Sequence, residues 1–151
     1  MTNKEKTQGR KFAFQFLFQT QSNKNADVTS EELLENICSF EISYIKEDEE
    51  NIDNSISHNA KEFGKNLIHE FLKYDTEIEE VVSKHLDRNN LSKLNLIDQT
   101  LIKLGSIEIV HLDNTPSQVV INDIVELAKK FGESESYAMI NGVLDSVWKS
   151  K

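Results

Sequence analysis

Four histidines, one cysteine and a surplus of acids are the residues of this chain that could do chemistry, and their spacing argues against a reaction centre. His58, His69, His85 and His111 stand at no spacing that pairs two imidazoles on one helical face, and Cys38 is the single cysteine. Neither a zinc ligand set nor an in-chain disulfide is therefore expected. The glycine-rich loops that cradle phosphates and the strained serine turn of hydrolases are missing. Cys38, on an apolar helical stretch, reads as a small buried hydrophobe. The 26 Asp and Glu outnumber 17 Lys and Arg for a formal net charge of −9, yet no carboxylate pair falls in a segment resembling a cleft. The sequence predicts no catalysis, no metal and no cofactor. What chemistry remains is charge: residues 1–24 hold Lys4, Lys6, Arg10, Lys11 and Lys24 against Glu5 alone. The chain as a whole lacks the basic footprint of a general nucleic-acid binder, but its first turns could meet phosphates locally.

The elements that must position these residues read as helices. Five glycines and one proline in 151 residues are too few for the turns of an all-β fold or the loops of a nucleotide-binding α/β fold. No apolar run approaches the roughly 18 residues of a membrane span, and the first residues lack the apolar stretch of a secretory signal, so a cytoplasmic location is expected. FAFQFLF alternates like a strand, but Ala13, Phe16, Leu17 and Thr20 also trace one helical face, which predicts an aromatic-rich helix over about 8–22. Thr29 with Glu32 has capping-box spacing ahead of Leu33, Leu34, Ile37 and Cys38. Residues 46–55 read as a solvated loop or helix end. A helix with Ala60, Phe63, Leu67, Ile68 and Phe71 on one side is predicted to break at Asp75 and Thr76, where Thr76 and Glu79 would open another. Residues 94–112 form a long apolar helix, stopped by Pro116.

The next helix, SQVVINDIVELAKKFG, carries Lys129 and Lys130 in its last turn, favourable to its dipole, with Gly132 as a left-handed stop. Ser134 would cap the last helix, with Tyr137, Ile140, Val143, Leu144 and Val147 facing inward. Asn141-Gly142 is a turn dipeptide, but the apolar rows pass through it in phase, so it is expected inside that helix. Gly142 would then let a neighbouring helix approach closely. Asn122 and Asn141 would hydrogen-bond across the contact between the last two helices as a structural clasp.

TPSQVVINDIVELAKKFGESESYAMINGVLDSV, with Pro116, Ile121-Asn122-Asp123, Glu126 to Lys129, Phe131-Gly132 and Asn141 to Asp145, resembles the closing signature of the NusB family of transcription antitermination factors. Arg10, Ala13, Gln15, Leu17 and Phe18 resemble the family's opening, and Ile107-Glu108-Ile109 the end of its central helix. The resemblance implies an all-α fold of about seven helices, two small bundles sharing the aromatic first helix, as a single RNA-binding domain over residues 1–151. It implies a factor that pairs with the ribosomal protein NusE, binds boxA RNA and acts on the transcription elongation complex during ribosomal RNA synthesis. The RNA-binding residues would be Lys4, Lys6, Arg10 and Lys11 at the amino terminus and Glu135 and Met139 at the start of the last helix. Phe18 and Asp98 would meet NusE, and a face shaped for NusE could also give a homodimer of the free protein. The basic patch is thinned relative to the family's arginine-rich pattern, and Met139 stands where the family often has an aromatic. A second reading follows from that thinning, a helical protein-interaction or ribosome-assembly adaptor with weak RNA binding. An enzyme fragment is the alternative of another class, because the same helical domain precedes a methyltransferase domain in some ribosomal-RNA cytosine methyltransferases; no methyl-donor site is recognised here.

Overall fold

A computed structural model of the chain describes residues 1–22, 30–49, 56–86 and 91–151. The described residues are all-α, with α1 Asn3–Ser22, α2 Ser30–Glu49, α3 His58–Ser83, α4 Leu96–Ile107, α5 Ser117–Phe131 and α6 Ser136–Lys149. A 3-10 turn spans Leu91–Lys93, and a π-helical segment, Glu108–Leu112, continues α4. The chain divides into two compact units, Met1–Asn66 and Leu67–Lys151, and α3 begins in the first and continues in the second.

In the first unit, a reciprocal capping box opens α1. The Thr2 amide donates to Glu5 Oε2 at 3.0 Å, and the Glu5 amide donates to Thr2 Oγ1 at 3.1 Å, satisfying backbone donors that a helix start otherwise leaves unpaired. The ambiguous phenylalanine run is helical. Phe12, Ala13, Phe14, Phe16 and Leu17 are buried, and the rings meet α2 edge to face: Phe12 lies 5.2 Å from Phe40 and 5.3 Å from Tyr44 between centroids. Such pairs add about 0.5–1.5 kcal/mol each beyond their buried area. The amino end of α1 meets α3 almost backbone to backbone, because a Cβ on Gly9 would stand 2.6 Å from the Ala60 carbonyl and one on Gly64 2.8 Å from the Gly9 carbonyl. Glu41 on α2 ties to α3 through Lys65 at 2.8 Å and Lys61 at 3.6 Å. Burial opposes the Glu41 charge, but hydrogen bonds and attraction from these two lysines hold its carboxyl below the ordinary value.

In the second unit, α4 is the buried centre: Leu101, Ile102, Leu104 and Ile107 are fully covered, against Val120, Ile121 and Ile124 of α5 and Ile140, Leu144 and Val147 of α6. Gly105 allows this, since a Cβ there would stand 3.1 Å from side-chain carbons of both Ile124 and Leu144. Lys103, 4% exposed, reaches Asp75 at 2.6 Å and Glu79 at 3.5 Å on α3 and lies over the Phe71 ring at 5.2 Å.

Several local expectations change. α3 passes through Asp75 and Thr76 without a break, because Leu67, Phe71, Ile78 and Val82 continue one buried row and Glu79, expected to close a capping box with Thr76, meets Lys103 instead, as Asp75 does. The apolar helix ends at Leu112, as expected, but what closes it is Asp113 rather than Pro116: its left-handed φ of 46° sets an amide bond to the Glu108 carbonyl at 3.1 Å. Pro116 occupies the position just before α5. Gly132 is not left-handed but extended, with φ −90° and ψ −178°; a Cβ there would sit 2.7 Å from the Ala128 carbonyl. Ser134 does not cap α6, which begins at Ser136 with no side-chain cap at Glu135. Cys38 and Leu34 are exposed rather than core; on α2 the inward row runs through Ile37 and Phe40 instead. The capping role assigned to Thr29 and most of the 46–55 loop lie outside the described residues.

Candidate RNA and partner surfaces

Helix phase divides the amino-terminal cations. Lys4 and Lys11, seven apart, share one side of α1; Lys6 and Arg10, four apart, share another. Lys4 is exposed, Lys6 and Lys11 are half-buried, and Arg10 is fully buried with its guanidinium 5.4 Å above the Phe63 ring. The expected RNA-contacting role of Arg10 therefore meets a physical objection, because its fork is committed inside the first unit. Phe18 is half-buried and stacks on Phe14 at 6.0 Å, which leaves part of its ring at the surface.

Asp98 is expected at a partner contact, yet it is 4% exposed. It stands in the first turn of α4, where its amide donates to the Asn95 cap at 2.8 Å, and its Oδ2 accepts from the Ser136 hydroxyl at 3.1 Å. Oδ1 is buried with no hydrogen-bond partner. Burial raises the Asp98 pKa above the ordinary value; hydrogen bonds from Ser136 and Asn95 oppose that rise and nearby Glu133 adds to it.

The clasp is not formed. Asn122 is exposed and accepts from the Gln118 side chain at 3.0 Å within α5. Asn141 and Gly142 are inside α6, as the phase of the apolar rows requires, but face solvent, and a Cβ on Gly142 would meet nothing within 4 Å. In the second unit it is Gly105 that admits neighbouring helices. The inward rows of α5 and α6 are aliphatic, and both asparagines fall on the opposite faces.

Glu135 is exposed and Met139 half-buried, one turn apart at the start of α6. Beside them Tyr137 is 39% exposed rather than inward, since the buried row of α6 begins only at Ile140. Lys129 Nζ lies 5.1 Å above the Tyr137 ring and Lys130 Nζ 5.5 Å above that of Phe131. The sequence signal for this cluster is two consecutive lysines before an aromatic-bearing corner, a pattern that helix-dipole chemistry alone does not exhaust. Among the described residues, no group of His, Cys, Asp and Glu is placed to hold a metal ion, and no helix is long and apolar enough to cross a membrane.

The sequence profile of the NusB family matches residues 7–149. The chain belongs to the NusB family. It is 30% identical over 144 residues to the transcription antitermination protein NusB of Finegoldia magna, covering 95% of this chain and 93% of that protein. The NusB of Staphylococcus haemolyticus is 32% identical over 147 residues, covering 97% and 99%. The fold is similar to that of antitermination factor NusB solved with NusE and double-stranded RNA, with a TM-score of 0.75 at 24% identity over 100% of both chains. T. maritima NusB gives a TM-score of 0.75 at 24% identity, covering 95% of this chain and 90% of that one.

Proposed function

We propose that this protein is a transcription antitermination factor that pairs with NusE and binds boxA RNA during ribosomal RNA transcription, without catalysing a reaction. The observation that carries this reading is the family match over residues 7–149, from the first aromatic helix to the last turns of α6. Solvent-facing Lys4 and the half-buried Lys6 and Lys11 on α1 supply phosphate contacts, and the first turns of α6 supply base contacts at Glu135 and Met139. Phe18, with part of its ring at the surface, serves as an apolar anchor for NusE. Asp98 contributes to that contact only through the segment it stabilises, because its own carboxylate is covered. With so few cations on the amino-terminal surface, few counterions are released on binding, so the chain alone binds RNA weakly and a basic partner supplies the remaining charge. The test is binding of a boxA RNA by this protein, by NusE and by their mixture across a salt series. Synergy that weakens as salt rises supports the reading.

A second reading is favoured by the burial of Arg10 together with the net charge of −9: an adaptor that binds NusE but has little affinity for RNA. A mixture that forms the protein complex yet binds RNA no better than NusE alone would select it.

A further inference from the structure

The corner between α5 and α6 carries two cation-over-ring pairs that no role above uses. Lys129 approaches Tyr137 and Lys130 approaches Phe131, and of the two rings Tyr137 is the more open. We propose that Tyr137 is a stacking step for one unpaired RNA base, with Lys129 and Lys130 positioned for the adjoining phosphates. This rests on the boxA reading and deepens it, since it names a base-contacting side chain and the feature of the RNA it takes.

A ring partly exposed on the first turn of a helix, one turn before the buried row begins, contributes little to the core, and the face that Lys129 covers opens to a base once that lysine turns to a phosphate. Every nucleobase has a matching face, so the contact is tolerant of sequence. The cations are available: Lys129 is 49% exposed and pairs only loosely, at 3.3 Å, with Glu126, itself 71% exposed. An exposed pair of this kind is readily exchanged for a phosphate. Glu126, Glu133 and Glu135 limit the site, because their charge disfavours a backbone track of several phosphates. The corner therefore accepts a single base rather than a tract. Met139, two positions further on, points away from Tyr137 across α6, so Tyr137 offers a flat face of its own. An aliphatic protein anchor would instead call for an apolar rim, and here the rim is charged.

The test measures a fluorescein-labelled single-stranded boxA RNA by anisotropy in the presence of NusE, with thermal unfolding followed for every variant. Tyr137→Ala is expected to weaken RNA binding on the order of tenfold, while Tyr137→Phe stays close to the parent protein. Lys129→Gln should lower the slope of log affinity against log salt by about one. An RNA with an abasic position under the ring should lose its sensitivity to Tyr137→Ala. Unchanged RNA affinity in Tyr137→Ala, while the parent protein binds, overturns the stacking step and leaves the boxA reading standing. Failure of the parent protein to bind with or without NusE overturns both. Weakened NusE association with unchanged RNA affinity would assign the ring to a protein contact instead and also overturns the proposal.

Discussion

Ser136 donates its hydroxyl hydrogen bond to Asp98 across 3.1 Å, joining the first residue of α6 to the first turn of α4. α6 has no side-chain N-cap of its own, so this bond anchors a helix start that would otherwise be free to fray. Its other side is a cost: Asp98 is buried, with Oδ1 unsatisfied, and burial leads the influences that lift its pKa. An acid whose folded pKa lies above its unfolded one is penalised at pH values above the folded pKa. The penalty shrinks as pH falls through that pKa and is gone below the unfolded value. Asp98→Asn keeps an acceptor for Ser136 and removes the charge. Its stability relative to the parent should be highest at neutral pH and should decline toward parity on acidification through the carboxylate range. Ser136→Ala should cost roughly 1 kcal/mol at neutral pH. Urea unfolding of the three proteins across a pH series checks both.

The glycines separate into those that admit a neighbour and one that does not. Gly142 lies mid-helix with open space where a Cβ would go, so Gly142→Ala should stabilise by roughly 0.5–1 kcal/mol through helix propensity. Gly9→Ala places a methyl 2.6 Å from the Ala60 carbonyl and 2.8 Å from a Phe63 ring carbon. The backbone carbonyl cannot give way as a side-chain tip could, and a loss of about 1–3 kcal/mol is expected, of the size seen on overpacking. Thermal unfolding of both variants should move in opposite directions; a stabilised Gly9→Ala would contradict the close approach of α1 to α3.

How much of this was legible in the sequence follows from which forces act locally. The phase of the apolar rows located α5, α6 and the helicity of Asn141-Gly142, because amphipathic periodicity is written in neighbouring residues. The same periodicity runs unbroken through Asp75 and Thr76 and overrides the polar capping pattern there: Lys103, distant in sequence, engages both Asp75 and Glu79 and draws Glu79 away from Thr76. Gly142 and Gly105 cannot be told apart by local pattern, since both sit among apolar residues and only packing decides which faces a neighbour. For the candidate site, position on α1 and α6 was legible but burial was not. Arg10 and Lys4 look alike in the sequence, and the difference between them is the Phe63 ring that covers one.

Lys103 tests the worth of a buried charge. Its ammonium meets Asp75 and Glu79 on α3, both of which remain well exposed. Lys103→Met keeps the stem that packs on Phe71 and leaves two carboxylates that water can still solvate, so a change of less than about 1.5 kcal/mol is expected. Asp75→Ala instead strips the nearer partner from a lysine that cannot reach water freely. A cost of roughly 1–3 kcal/mol is expected, as for a buried polar group left short of a partner. Equal losses in the two variants would mean that the pair, rather than the packing of the lysine stem, holds α3 to α4.

Charge reversal on α1 separates fold from RNA contact. Arg10 is enclosed with its guanidinium over Phe63, and Arg10→Glu would place a carboxylate in a site built for a cation. The expected result is a loss of about 3–5 kcal/mol, which abolishes RNA binding and partner association together by unfolding the first unit. Arg10 is therefore a poor probe of RNA contact. Lys4 is solvent-facing and Lys11 shares its side of the helix, so Lys4→Glu and Lys11→Glu should fold normally. Each should lower RNA affinity several-fold and reduce the salt slope by about one, the signature of a lost phosphate contact, with NusE association intact. Circular dichroism, partner binding and RNA titration on the three variants decide the matter. A folded Arg10→Glu with a selective RNA defect would return Arg10 to the RNA surface, whereas full RNA affinity in the Lys4 and Lys11 variants would take that surface away from α1.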